Sequence, residues 1–86
     1  MRKVVVYATD YCPFCTRAKA LLRSKNVNFE EIDVTRDALR QEEVRRLAGR
    51  KTVPQIFIDG IPVGGFEELK KLDEAGELDR LLDPDQ

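Results

Sequence analysis

Two cysteines stand three positions apart in Tyr11-Cys12-Pro13-Phe14-Cys15, and the chain has no others. Thiols at that spacing can cycle between dithiol and disulfide, provided one sulfur is held as the thiolate, the form that attacks. A helix start supplies the means. Val4 to Ala8 is a continuous apolar run that reads as a strand buried on both faces, and Thr9-Asp10 as the turn that ends it. The helix is then expected to open near Cys12, with Pro13 in first position, where its fixed φ fits and its missing N–H costs nothing. Cys12 at the cap meets free N–H groups and the positive end of the helix dipole, both of which favour a thiolate. Cys15, one turn on, shares its face and can displace a mixed disulfide formed on Cys12. Tyr11 and Phe14 leave the nucleophile beside an aromatic rim.

Three plainer readings compete. A structural disulfide across so short a loop removes little chain entropy. Half of a zinc site needs further ligands, and the sequence has no histidine and no third cysteine. Inert core thiols are the third. The redox reading is preferred because the cysteines sit at a strand-to-helix junction.

The elements that must hold this junction fit one small domain, residues 1–86. At 42% hydrophobic and 36% charged the chain is too apolar for disorder. Fifteen Lys and Arg against 16 Asp and Glu leave a net charge of −1, which gives no global field for nucleic acid or an anionic membrane. Met1-Arg2-Lys3 followed by Val4 to Ala8 is basic then apolar, but the run is too short for a signal peptide. Nothing approaches transmembrane length. A cytoplasmic protein is the expectation, a setting where CxxC is more often catalytic than structural.

Thr16 to Lys25 predicts an amphipathic helix with Cys15, Ala18 and Leu22 on one side and Leu21 beside them; Arg17 is close enough to Cys12 to support its thiolate. Phe29 to Val34 predicts a second strand, completing a right-handed parallel βαβ unit. Thr35 is expected to cap a helix over Asp37 to Ala48, with Val44, Leu47 and Ala48 as its apolar stripe, Leu39 off that stripe, and Gly49 as its stop. Gln55 to Asp59 and Ile61 to Val63 predict a hairpin turned by Asp59-Gly60, with Pro62 placing the return strand at the sheet edge. Gly64-Gly65 allows a close backbone approach before a helix running from Phe66 or Glu67 to Ala75, with Leu69 and Leu72 facing the core. Leu78, Leu81 and Leu82 form a last apolar turn, and Asp83 to Gln86 are expected to fray. The order is β-α-β-α-β-β-α.

That order, with YCPFC followed by TVPQIFIDG and then GGFEEL, resembles the glutaredoxin branch of the thioredoxin-like fold over nearly the whole chain, above all the small bacterial dithiol members. The resemblance implies an α/β architecture, a four-stranded mixed sheet flanked by helices. It also implies a glutathione-dependent thiol–disulfide oxidoreductase, with glutathione as cosubstrate and no bound cofactor or metal. Cys12 would be the nucleophile and Cys15 the resolving cysteine. Thr52 and Val53 would pair with the glutathione backbone like an added strand, beside a cis Pro54. Gly64, Gly65, Phe66 and Glu67 match the helix start that holds the γ-glutamyl carboxylate. Gln41 and Lys51, with Arg50 as a substitute, match contacts to the glycyl carboxylate. Tyr11 and Phe14 would flank the site, Phe14 standing where the family usually has tyrosine. Implied partners are glutathione, disulfide-containing or glutathionylated proteins and, indirectly, glutathione reductase. Nothing in the sequence calls for more than a monomer.

Two departures stand out. Thr9 occupies a position where many glutaredoxins carry lysine, removing a cation near the sulfur. Phe66 and Glu67 replace a frequent cysteine and aspartate. Thr9 keeps open a second reading, a glutaredoxin-like redoxin reduced by thioredoxin reductase. A third, an iron–sulfur carrier bridging two subunits, is disfavoured by Pro13, since cluster-binding relatives usually have a smaller, more flexible residue there.

Overall fold

The computed structural model describes residues 2–50 and 52–83. The apolar run forms β1 (Val4–Ala8), and its alternation serves two layers at once: Val4, Val6 and Ala8 turn to one face of the sheet, Tyr7 to the other. Helix α1 (Pro13–Ser24) buries Cys15, Ala18 and Leu22 on the first face, the stripe expected from its spacing. Strand β2 (Phe29–Asp33) returns parallel to β1, pairing Val4 with Phe29 and Tyr7 with Ile32, so the βαβ unit is formed. Its solvent-side residues Glu30 and Glu31 are exposed.

Helix α2 (Ala38–Ala48) starts one residue later than expected and has a different cap. The Asp37 carboxylate accepts the Arg40 N–H at 3.0 Å, and Thr35 does not cap it. Aspartate at the cap position itself outcompetes a threonine two residues upstream. The Thr35 hydroxyl instead accepts the Asp10 N–H at 3.0 Å, tying the loop before the cysteines to the end of β2. Of the expected stripe, Val44 is buried and Ala48 packs beside it, but Leu47 is 49% exposed; Leu39, at 85%, lies off the stripe. Val34 lies just beyond β2 yet is buried against α2.

Strands β3 (Gln55–Ile58) and β4 (Ile61–Gly64) form the hairpin. Asp59 and Gly60 both take positive φ, 51° and 79°, the geometry that a two-residue turn between right-twisted strands requires. The sheet order is β2-β1-β3-β4, with β3 antiparallel to both neighbours and Pro62 on the outer strand. Helix α3 (Phe66–Glu74) buries Leu69. The last apolar turn is a helix in its own right, α4 (Leu78–Leu82), which extends the expected element order by one and buries Leu78 and Leu82. The expected fraying falls mostly on residues 84–86, outside the described residues; the Asp83 N–H donates to the Asp79 carbonyl at 3.0 Å.

Helices α1, α3 and α4 thus cover one face of the sheet and α2 the other, where Tyr7 and Phe57 meet edge to face at 5.5 Å and 74°. The larger core rests on Leu22, Ile56 and Leu69, all fully buried. Leu22→Ala is expected to cost about 3 kcal/mol by transfer loss and cavity formation, read as a lower urea midpoint at unchanged slope.

Candidate active site

The functional cysteines lie where β1 hands over to α1. Cys12 is the cap residue of the helix, with extended backbone at φ −109°, and Pro13 follows in its first turn. The Cys12 sulfur takes the place that a serine or aspartate oxygen usually occupies: it accepts the Cys15 N–H at 3.2 Å. Its other neighbour is the Val53 carbonyl, 3.7 Å away, to which the thiol donates. The Thr16 N–H and hydroxyl bind the Cys12 carbonyl at 3.1 and 3.3 Å, fixing the turn.

Cys15 sits one turn deeper and is 1% exposed, whereas Cys12 is half-buried; both are free thiols. Burial pushes the Cys15 pKa from 9.0 up to about 12, helped by its hydrogen bond with Cys12 and opposed by the Thr9 backbone. The pair is therefore asymmetric, with an accessible sulfur at a helix cap and a protonated one behind it.

Beside Cys12 opens a cleft of about 160 Å³ lined by Phe14, Arg50, Thr52, Val53, Pro54, Gly65, Phe66, Glu67 and Glu68. The Val53–Pro54 bond is cis. Phe14 and Phe66, both in its lining, meet with ring centroids 6.3 Å apart and planes tilted by 35°. The cleft wall before β3 is organised by Gln55, 1% exposed, whose amide donates to the Thr52 carbonyl at 2.9 Å and the Thr52 hydroxyl at 3.2 Å. At the start of α3, Glu68 reaches back so that its Oε1 accepts the Gly65 N–H at 3.0 Å, and the same oxygen pairs with the Arg50 guanidinium. Arg50 and the Gly65 amide hold the Glu68 carboxyl below its ordinary pKa. The glycine pair serves this seat. Gly64 has φ 117°, and a side chain there would meet Glu68 Oε1 at 2.7 Å; one at Gly65 would crowd the Pro54 carbonyl at 3.3 Å.

Most of the positions singled out in the sequence therefore converge: Cys12 and Cys15 at the cap, and Phe14, Arg50, Thr52, Val53, Pro54, Gly65, Phe66 and Glu67 around the cleft, with Gly64 behind it. Three do not line it. Tyr11 is 78% exposed beside the cysteines. Gln41 spends its amide on the Val34 carbonyl at 2.6 Å, under the other face of the sheet. Arg17 stacks on the Phe14 ring at 5.4 Å. Lys51 lies outside the described residues. Gln55 and Glu68 went unremarked in the sequence. Glu68 had a signal, an acid three residues after a cap position, the pattern of a side chain that reaches back to the cap amide; Gln55 had none, since nothing local marks a glutamine for burial.

A four-stranded mixed sheet with a Cys-Pro-Phe-Cys helix cap facing a cis-proline loop defines a dithiol oxidoreductase of thioredoxin-like fold. The glutaredoxin family model matches residues 4–63. Glutaredoxin 3 of Escherichia coli strain K12 is 49% identical over 82 residues, covering 95% of this chain and 99% of that protein. The solution structure of glutaredoxin from Brucella melitensis superposes with a TM-score of 0.87 at 42% identity, covering 100% of this chain and 94% of that one. A buckwheat glutaredoxin–glutathione complex superposes at 0.88 with 26% identity, covering 94% and 76%. The chain belongs to the glutaredoxin family, and so is a thiol–disulfide oxidoreductase with glutathione as cosubstrate. Among the described residues no group of side chains could hold a metal ion, and no helix is long and apolar enough to cross a membrane.

The raised Cys15 pKa has a sign. Between pH 9.0 and about 12 the unfolded chain loses this proton and the native one keeps it. The unfolded state then binds fewer protons, so stability contributed by Cys15 is whole below the unfolded value and falls as pH rises through that window. Cys12→Ser is expected to show no ultraviolet thiolate absorbance at neutral pH, and its urea midpoint should decline across the alkaline window more steeply than that of Cys12→Ser/Cys15→Ala.

Proposed function

We propose that Cys12 is the nucleophile and Cys15 the resolving thiol, that the cleft seats the glutathione moiety, and that residues 1–86 act as a single monomeric domain in the cytoplasm. What supports this reading is the Cys12 sulfur, held by the Cys15 amide at 3.2 Å and 3.7 Å from the carbonyl of Val53, a residue of the cleft wall. The Cys12 thiolate attacks the glutathione sulfur of a mixed disulfide. A Cys12–glutathione disulfide forms, the old S–S bond breaks, and the substrate thiolate leaves and takes up a proton. A second glutathione, as thiolate, attacks that sulfur, giving oxidised glutathione and regenerating Cys12; glutathione reductase restores the pool. With a protein disulfide, Cys12 first takes one protein sulfur into a mixed disulfide; Cys15, losing its proton to the departing thiolate, then attacks the Cys12 sulfur, the bond to the protein breaks, and two glutathiones reduce the Cys12–Cys15 disulfide to leave oxidised glutathione.

In the cleft, the Val53 backbone pairs with the extended peptide, Phe14 and Phe66 flank it, and the α3 amides at Phe66 and Glu67, beside the Gly65 amide that Glu68 already holds, receive the γ-glutamyl carboxylate. The glycyl carboxylate turns to Arg50 and Lys51. Gln41, with its amide engaged elsewhere, is the weakest member of the set.

Glutathione-coupled reduction of a glutathionylated peptide, followed through NADPH and glutathione reductase, is expected to vanish in Cys12→Ser and persist in Cys15→Ser, while reduction of a protein disulfide is lost in both. Thr9 favours one alternative, reduction by thioredoxin reductase. A wild type inactive with glutathione yet rapidly reduced by that flavoenzyme would replace the first reading with the second.

A further inference from the structure

The cleft already contains a carboxylate. Glu68 Oε1 accepts the Gly65 N–H at 3.0 Å and pairs with Arg50, so one oxygen engages both an α3 N-terminal amide and a guanidinium. These are the kinds of group that a ligand carboxylate would seek. The seat is tight, because a Cβ at Gly64 would stand 2.7 Å from that oxygen, 2.9 Å from Glu68 Cγ and 3.0 Å from Glu68 Cβ. Among the described residues Arg50 is the only cation lining the cleft. It is therefore neutralised in the resting enzyme.

We propose that Glu68 is a specificity-determining residue, an internal rival that competes with the substrate's glycyl carboxylate for Arg50 and thereby weakens the enzyme's hold on glutathione. The proposal rests on the placement of glutathione in this cleft. Being tethered, Glu68 acts at high effective concentration, and an entering carboxylate must displace it from Arg50 or share the guanidinium with it. Sharing places two negative charges on one cation, and displacement gives up the resting pair. Either way the gain from Arg50 is reduced, and the bound moiety leaves more readily.

The test is the KM for a glutathionylated peptide at fixed glutathione. Glu68→Gln keeps an oxygen for the Gly65 amide and removes the charge. It is expected to lower KM by about three- to fivefold, the range of a partly exposed ion pair, with the change in KM rather than kcat. Arg50→Gln should raise KM more in the Glu68→Gln background than in the wild type, since only there is the guanidinium unclaimed. Glu68→Ala, which also surrenders the cap, should unfold at lower temperature and still show the lower KM, separating charge from fold. A KM unchanged or raised in Glu68→Gln overturns the proposal. If Arg50→Gln raises KM equally in both backgrounds, glutathione does use this cleft but Glu68 does not compete. If it moves KM in neither while Cys12→Ser still abolishes turnover, the placement of glutathione is itself wrong.

Discussion

A sulfur that caps a helix is the contact on which the rest of this molecule depends. The first turn of α1 has amide groups without partners in the helix, and Cys12 answers one of them with a sulfur of the redox pair. Catalytic and structural roles therefore share one hydrogen bond, and the surrounding elements keep its geometry. β1 fixes where the helix starts, Pro13 fixes its first φ, and Thr16 clamps the Cys12 carbonyl from within the helix. The Val53 carbonyl closes on the sulfur from the opposite side.

The opposite wall is held by less obvious means. Gln55 is buried and would be costly there without partners, but its amide finds both acceptors of Thr52 and so pins the backbone that precedes the cis-proline. A buried polar residue thus orders a loop that carries function, while the apolar residues beside it, Ile56 and Ile58, belong to the core. The two walls are in this sense independent, one secured by a helix start and the other by a strand start. They meet because β1 and β3 are neighbours in the sheet.

How far the sequence revealed this follows from the range of the forces involved. Local signals were sufficient for the strands, the hairpin at Asp59-Gly60 and the cap at Cys12, since each is decided by residues within a few positions. They failed where two local candidates competed, as with Thr35 and Asp37, and where a side chain chose a partner across the fold. Arg50 went to Glu68, eighteen residues on, and nothing in its own neighbourhood favoured that choice; Arg17 and Gln41 took nearby partners instead, Phe14 one helical turn back and the Val34 carbonyl seven residues upstream. Leu47 matched the helical period yet remained half exposed, because α2 covers a smaller apolar face than α1 does. The cleft residues were recoverable through motif resemblance, whereas the Glu68 contacts with Arg50 and Gly65 required the fold to bring separate segments together.

The two outer strands carry an implication for a protein that must handle the exposed, disulfide-bearing segments of others. Open strand edges invite any extended chain to add itself. Here β2 presents Glu30 and Glu31, and β4 carries Pro62, which has no amide to lend. Both borders of the sheet are thus poor landing places for a stray polypeptide. An extended chain of another molecule thus gains little by lying along either margin, and the sheet is kept to its own four strands.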